Sequence, residues 1–281
     1  VLGLSYAAVE DLLEALGVAI GKTTVYENVQ EAGMVSRQRQ NQEVAQGEAR
    51  LVIGADGTYV KVKGKRTGIQ MVVDDRDSDL LGLEIIVSEN AEEVLDVVRG
   101  VAGKVGAEVM VSDDLDSYKR VADELDLDHQ ICRNHVKRNV DDLADALREQ
   151  LRRGEPLPEG LESSPERLRE DLEHLQQLVR ERPADGCEQL EQLHHRRQPK
   201  SQPSKGQRHT VWYRLRMLIT RLWDRWRRLT LDQRRDDLDG TNNSAERMIG
   251  WWCKERYRTM RGQGSGTAAT NAPSRSRTSS P

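Results

Sequence analysis

The sequence contains no phenylalanine, and aromatic residues make up only 4% of its 281 positions. Its three cysteines, Cys132, Cys187 and Cys253, are too few in a chain of this length for a disulfide-stabilised fold. No part of the chain resembles a signal peptide, and no stretch approaches the ~18 consecutive apolar residues of a membrane-spanning helix. These absences predict a soluble protein of a reducing compartment.

The chain also lacks a large net charge, since 43 Lys and Arg residues against 47 Asp and Glu residues give −4 at pH 7. The charges are unevenly distributed, with 13 basic and 25 acidic residues in 1–130 and 30 basic and 22 acidic residues in 131–281. The stretch 194–235 contains 13 basic residues and two acidic ones. This asymmetry favours a polyanionic partner, although a solvated Arg-rich helix would produce the same composition.

The length predicts about two domains, at ~150 residues each, and the chain begins with a pair of short helices. Leu4–Gly17 has an apolar stripe behind the N-cap candidate Ser5, and a second helix is predicted to begin near position 23 and to end at Gly33. Such a pair is typical of a helix-turn-helix, whose second helix enters the DNA major groove. Because the third helix of a complete unit is missing, residues 1–35 are predicted to form a partial DNA-binding domain.

A mixed α/β fold is predicted after a polar, Gln-rich linker at 36–50. Three apolar runs separated by turn residues indicate an antiparallel meander, and the elements after them place helices on the faces of a mixed sheet. The predicted elements are strands at 51–63, 69–73 and 80–87, a helix at 91–102, a strand at 108–111 and a helix at 115–125.

The second half of the chain is predicted to be helical. Between 140 and 240, apolar residues recur at helical spacing between breaks that contain proline and glycine. A last helix, within 241–261, begins at the capping residues Thr241–Ser244. Residues 262–281 have no apolar periodicity and are predicted to be disordered.

Three acidic residues stand out by position. Asp56 follows an apolar run, Asp113 follows the strand predicted at 108–111, and Glu246 lies in the first turn of the last helix. Carboxylates at strand ends and at a helix start can converge at a sheet edge and bind Mg²⁺ or Mn²⁺, which prefer oxygen ligands. Taken alone, each residue is better explained as a turn or capping residue.

Four stretches, in this order, give the chain a resemblance to a known family over residues 1–261. The chain resembles transposases of prokaryotic insertion sequences in the RNase H-like DDE superfamily, on its Mutator-like side. The matching stretches are Ile53–Val60, Val109–Asp114, Cys132–His135, and Thr241–Arg247 followed by Lys254–Arg258.

The resemblance implies an RNase H-like mixed sheet flanked by helices, formed by 51–139 and 241–261, with 140–240 as an all-helical insertion. It implies that Asp56, Asp113 and Glu246 are the catalytic residues and hold two Mg²⁺ or Mn²⁺ ions. Asp114 is the alternative ligand if the register at the second position is off by one.

The resemblance also implies a role near the catalytic centre for Cys132 and His135, which can share a helix face. A buried cysteine beside a hydrogen-bonded histidine is the alternative, because two ligands are fewer than the four of a structural zinc site.

Basic residues are candidates for DNA contacts. The spacing of Leu215, Ile219, Leu222 and Trp226 describes a core stripe, which leaves the arginines of that helix on its outer face to bind phosphates. The residues predicted to contact DNA are Thr23, Thr24, Tyr26, Lys61, Lys63, Arg214, Arg221, Arg225, Arg228, Arg247, Lys254 and Arg258.

The implied function is a metal-dependent transposase that cuts phosphodiesters at transposon ends and joins the 3′-hydroxyl to target DNA. Double-stranded DNA is the expected partner, with no membrane, in a homodimer or larger assembly in the cytoplasm, associated with the nucleoid. One alternative is a truncated, inactive DNA-binding remnant, since the chain departs from the family pattern after Arg261. The other is an RNase H-like nuclease or resolvase, which shares the carboxylates.

Overall fold

The computed structural model describes residues 4–62, 64–153, 165–196 and 211–255. The chain divides into two compact units, one formed by Val1–His129 with Asn242–Pro281 and the other by Gln130–Thr241. Within the described ranges, no helix is long and apolar enough to cross a bilayer.

A five-stranded mixed sheet organises the first unit over the residues described, in the order β3-β2-β1-β4-β5. Strands β1, β2 and β3 form the predicted antiparallel meander, and β4 pairs with β1 in parallel. The α/β fold class is therefore confirmed. The strands are β1 Val52–Val62, β2 Lys65–Asp74, β3 Leu80–Ile86, β4 Val109–Ser112 and β5 Asp128–Ile131.

Strand β5 is absent from the sequence prediction. Its four residues include only one aliphatic side chain, Ile131, so they carry no apolar pattern of their own. His129, Gln130 and Ile131 are nevertheless buried. Position in the sheet, rather than local sequence, therefore determines this strand.

Helices cover both faces of the sheet. Helices α3 (Ala91–Val105) and α4 (Asp116–Glu124) pack against Ile53, Ala55 and Val72 on one face. On the other face, α9 (Asn243–Met248) and the π-helical segment Ile249–Glu255 contribute three buried side chains. These are Ala245, Ile249 and Cys253, which cluster with Val60, Val62, Ile69, Met71 and Val73.

The first helix agrees with its prediction, but the second does not. Helix α1 spans Tyr6–Ala15, and the Ser5 hydroxyl accepts a hydrogen bond of 3.2 Å from the Ala8 amide. Helix α2 spans Lys22–Gln46, with Gly33 buried inside it. The predicted helix end at Gly33 is therefore wrong, and most of the predicted linker at 36–50 is helical.

Contacts with the sheet explain why α2 continues. A glycine inside a helix costs only about 1 kcal/mol relative to alanine. Beyond Gly33, Arg37 forms an ion pair with Glu84, and the Gln40 side chain donates to the Leu80 carbonyl of β3. Val44 packs against the core beneath α3 and α4. A polar composition therefore does not exclude a helix when tertiary contacts support it.

The second unit is helical over its described part, apart from the end of β5, which agrees with the prediction for 140–240. Leucines at helical spacing form one core together with Ile131, Ile219 and Trp226. The predicted break near 154–165 (except its last residue), the predicted break near 199–206 and the predicted disorder at 262–281 lie outside the described residues. The helices are α5 Arg133–Arg152, α6 Pro165–Glu181, α7 Gly186–Arg196 and α8 Val211–Leu229, followed by a 3₁₀ turn at Leu231–Gln233.

A glycine contact in this core gives a stability test. A Cβ added at Gly186 would overlap the Trp226 indole, and Trp226 is buried. We expect Gly186→Ala to lower the free energy of unfolding by about 1–3 kcal/mol through overpacking, measured by urea denaturation. The matched control is Gly103→Ala in α3, where a Cβ meets no atom within 4 Å and where we expect a gain of about 0.5–1 kcal/mol. A gain at Gly186 as well would contradict this packing.

Candidate active site

The register of the parallel strands brings Asp56 and Asp113 together. In the β1–β4 pair, Val52 lies opposite Val109 and Gly54 lies opposite Val111. Two residues further along, Asp56 on β1 comes opposite Asp113, the first residue after β4. Asp56 lies within its own strand, in agreement with the strand predicted at 51–63, because pairing with β2 extends β1 to Val62. It lies opposite the point where β4 ends.

Buried polar side chains hold the backbone at Asp56. The Gln70 amide donates to the Asp56 carbonyl at 3.1 Å, and the Tyr118 hydroxyl donates to the Gln70 side-chain oxygen at 3.1 Å. Gln70 and Tyr118 have no exposed surface. The Asp56 carboxylate itself accepts a hydrogen bond of 2.8 Å from the Gly57 amide. The backbone carbonyl and the carboxylate of Asp56 are thus both held by hydrogen bonds within the sheet.

Hydrogen bonds also fix Asp113. Its carboxylate accepts from the Leu115 amide at 3.2 Å, which shapes the turn into α4. The Ser112 hydroxyl lies 3.0 Å from the Asp113 carbonyl and 2.8 Å from Nε2 of His129, and Ser112 and His129 are both buried. The turn that carries Asp113 is therefore attached to β5 as well as to α4.

Glu246 reaches the same region from the first turn of α9. The Asn242 amide donates to the Ala55 carbonyl at 3.0 Å, and the Ser244 hydroxyl donates to the Asp75 carbonyl at 2.7 Å. The predicted capping residues thus join the helix to the sheet, and Asn242 makes no side-chain capping bond. A Cβ at Gly54 would lie 3.0 Å from Oδ1 of Asn242, so a glycine allows this close approach.

The electrostatics show that these carboxylates act on one another. Burial, opposed by the Gly57 hydrogen bond and aided by the charges of Glu246 and Glu89, raises the pKa of Asp56 to about 7. Burial likewise raises the pKa of Asp113 to about 7, with the charge of Asp56 as the next contribution. Asp56 therefore interacts with both of the other predicted site residues.

Glu89 is a fourth carboxylate at this site that the sequence prediction missed. It lies between β3 and α3, and its charge raises the pKa values of both Asp56 and Asp113. Its position before the helix cap Asn90 resembles any solvated loop before a helix, so no local pattern marks it. Only the folded chain places it beside the aspartates.

The Cys132–His135 pair lies at the start of α5 in the second unit. Cys132 is buried, His135 is partly buried, and the Cys132 thiol and a ring nitrogen of His135 lie within 4.8 Å of each other. Cys132 immediately precedes α5 and His135 lies in its first turn, so the three-residue spacing brings the two side chains together.

The predicted DNA contacts on the first unit are mostly exposed. Thr23 and Thr24 are exposed on α2, whereas Tyr26 is partly buried, with its ring edge-to-face against Tyr6 at 5.5 Å. The exposed basic residues of this group are Lys61, Arg247 and Lys254. Lys63 and Arg258 lie outside the described residues.

Helix α8 presents some of its predicted DNA contacts but not all. Arg214 and Arg221 are exposed, and Arg228 is partly buried. Arg225 is 6% exposed, so its predicted place on the outer face is wrong. The cause is helix geometry, since Arg225 follows the core residue Leu222 by three positions and precedes buried Trp226.

Comparison with protein-family models matches residues 1–262 to the transposase IS66 family. The chain therefore belongs to this family, and the predicted insertion-sequence transposase is confirmed at that level. Membership implies a protein that binds DNA and suggests one that cuts it. A comparison with curated proteins gave no match.

The raised pKa values predict a pH-dependent stability. Between the ordinary aspartate value of 3.8 and the folded pKa of about 7, the native chain keeps protons that the unfolded chain releases, so stability falls as pH rises through this window. We expect the Asp56→Asn, Asp113→Asn double variant to be more stable than the wild type at pH 8 by several kcal/mol, at about 1.4 kcal/mol per pKa unit, and nearly equal to it at pH 4. Thermal unfolding in EDTA measures this difference.

The matched control for this measurement is Asp96→Asn, because Asp96 lies on the exposed surface of α3 with 81% of its side chain accessible. We expect no pH-dependent change for this variant. A stability difference between the double variant and the wild type that is the same at pH 4 and pH 8 would contradict the raised pKa values.

Proposed function

We propose that this IS66-family transposase cuts DNA at transposon ends and joins the freed 3′-hydroxyl to target DNA at a centre formed by Asp56, Asp113 and Glu246. The observation that carries the proposal is the electrostatic interaction of Asp56 with both other carboxylates. We also propose that the core of the first unit is RNase H-like and that its catalytic carboxylates act as in the DDE superfamily. The Mutator-like placement, the homodimeric or larger assembly and the nucleoid location remain predictions.

The donor set fits hard divalent cations. All three residues offer carboxylate oxygens, which Mg²⁺ and Mn²⁺ prefer, and burial beside like charges leaves Asp56 and Asp113 with pKa values of about 7. We propose that Asp56, Asp113 and Glu246 hold two such ions. When bound, these ions supply activation of a water or 3′-hydroxyl and stabilisation of the leaving oxygen.

The residues of the chain have distinct tasks in this proposal. Asp56 and Asp113 lose their protons as pH rises past about 7 and then present charged oxygens. Asn242 and Ser244 hold the helix that carries Glu246 against the sheet. Lys254 is exposed and within electrostatic range of Asp56, and we propose that it binds a DNA phosphate near the reacting bond.

Substitution of the three carboxylates tests the catalytic assignment. We expect Asp56→Asn, Asp113→Asn and Glu246→Gln each to lower Mg²⁺-dependent cleavage of element-end DNA by more than about 100-fold, since even groups that only support metal ligands cost 10–100-fold. Asp96→Asn, on the exposed surface of α3, is the charge-matched control and should retain full cleavage. Asp114→Asn distinguishes the two registers at the second position.

The reaction products distinguish the proposed function from the two alternatives. Cleavage without joining would identify a nuclease or resolvase, and DNA binding without cleavage would identify an inactive remnant. Full cleavage by the variant that lacks all three carboxylates would refute the proposed centre.

The exposed arginines of α8 give a separate test of DNA binding. Arg214 and Arg221 are seven residues apart, which places them on one side of the helix. We expect replacement of both by alanine to weaken binding to DNA of any sequence and to reduce the slope of log affinity against log salt by about 2, one per lost phosphate contact. Fluorescence anisotropy at several salt concentrations measures both quantities.

The charge-matched control is the Arg148→Ala, Arg152→Ala variant of α5. These guanidinium groups pair with Asp145 and Glu149 on their own helix. An equal loss of slope in this control would show a general charge effect and would contradict the assignment to α8.

A further inference from the structure

Trp251 places a large apolar ring on the surface of the first unit. Its side chain is 61% exposed, whereas the neighbouring Trp252 is partly buried, with the two ring centroids 6.2 Å apart. Of the other tryptophans whose side chains the structure describes, Trp223 is partly buried and Trp226 is buried. Tryptophan is buried for most of its surface on average, and it is enriched at binding interfaces. Core packing therefore does not account for the position of Trp251.

The segment that carries Trp251 is anchored on its other side. Ala245, Ile249 and Cys253 follow one another at intervals of four residues and are buried among side chains of β1 and β2. From Ile249 to Glu255 the chain is wound as a π-helix, and such turns are frequent at functional sites. The indole thus extends from a backbone that the core holds in place.

Two basic side chains accompany Trp251 on the exposed face of this segment. Arg247 lies four residues before it and Lys254 three residues after it, and both are exposed. Positions three and four apart lie near one another on a helix, so the indole lies between two cations. The charge of Lys254 also acts on Asp56, where it opposes the rise in pKa that burial causes. The face formed by Arg247, Trp251 and Lys254 therefore lies beside the proposed catalytic centre.

An aromatic ring between two cations has the chemistry of a nucleic-acid contact. The cations bind phosphates and the ring stacks on a base, as in proteins that hold single strands. Membership of the transposase IS66 family implies that the partner is DNA. A base within a continuous duplex has both faces covered by its neighbours, so the indole has access to a base only where it is unpaired or where the duplex ends. Cleavage of DNA creates such an end.

We propose that Trp251 stacks on the unpaired or terminal base of a DNA end, while Arg247 and Lys254 bind the phosphates that flank this base. This inference rests on the proposed function, because it identifies the part of the DNA that lies beside the three-carboxylate centre. Trp251 then distinguishes a DNA end from continuous duplex without taking part in the chemistry.

Competition between two DNA probes for the full chain, measured in EDTA so that no cleavage takes place, tests the proposal. The first probe is a short duplex with one unpaired 2-aminopurine at each 3′ end, and the second is relaxed closed-circular duplex, which has no end. We expect Trp251→Ala to weaken binding of the first probe about tenfold, the scale of one base–aromatic stack, and to leave binding of the circular DNA unchanged.

The fluorescence of 2-aminopurine reports stacking directly. The wild type and Trp251→Phe, which keeps an aromatic ring, should quench this fluorescence, and Trp251→Ala should not. The matched control is Val87→Ala, because Val87 is an apolar residue of the same unit with 84% exposure. We expect this variant to bind both DNAs like the wild type. An equal loss of affinity for both DNAs in Trp251→Ala, or no loss for the first probe, would overturn the proposal.

The outcomes distinguish this inference from the proposed function. If Trp251→Ala binds the first probe like the wild type while the wild type cleaves element-end DNA, the inference fails and the three-carboxylate centre stands. If Trp251→Ala loses affinity for that probe alone while the wild type cleaves no DNA, the inference stands and the proposed cleavage fails. A wild-type chain that binds neither DNA would contradict both.

Discussion

The parallel pairing of β1 with β4 is the constraint on which the site depends. These strands are far apart in sequence, yet their register sets Asp56 opposite the residue that follows β4, and Asp113 occupies that position. A slip of one residue would turn the side chains of β4 to the opposite face of the sheet. It would also replace Asp113 by its neighbour, Asp114, at the end of the strand. Strand β4 is buried along its whole length, so its side chains pack on both faces of the sheet in this register.

The apolar faces of the sheet make an unfavourable arrangement of charges tolerable. Carboxylates that raise one another's pKa values reduce the stability of the folded chain at neutral pH. The clusters on the two sheet faces oppose this cost, and polar side chains inside the sheet, such as Gln70 and Asn242, satisfy the backbone carbonyls beside the site. The repulsion between these carboxylates also makes the site suited to cations, because a bound cation would neutralise their charges.

Predictions from the sequence succeed where a pattern is local and fail where a contact from elsewhere decides. The meander, the helices of the second unit and the Ser5 cap follow from periodicity and capping chemistry. The end of α2 is predicted wrongly because contacts with β3 continue the helix past Gly33. Strand β5 has no apolar pattern of its own, and Arg225 is buried although most arginines of α8 are not. For α2 and β5, the missing information lies in another segment of the chain, whereas the burial of Arg225 follows from its position beside the core residues of its own helix.

The amino-acid sequence alone establishes the identities and order of Asp56, Asp113 and Glu246, the strand that carries Asp56, the helix that carries Glu246, and the resemblance to insertion-sequence transposases that the family match supports. These follow from short-range patterns and from ordered motifs. Tertiary contacts were needed to show that Asp56 lies opposite the end of β4, that the capping residues of α9 bind the sheet, and that Glu89 fills the space left by Gly57. Such features depend on strand register and on packing between distant residues, which no local spacing encodes.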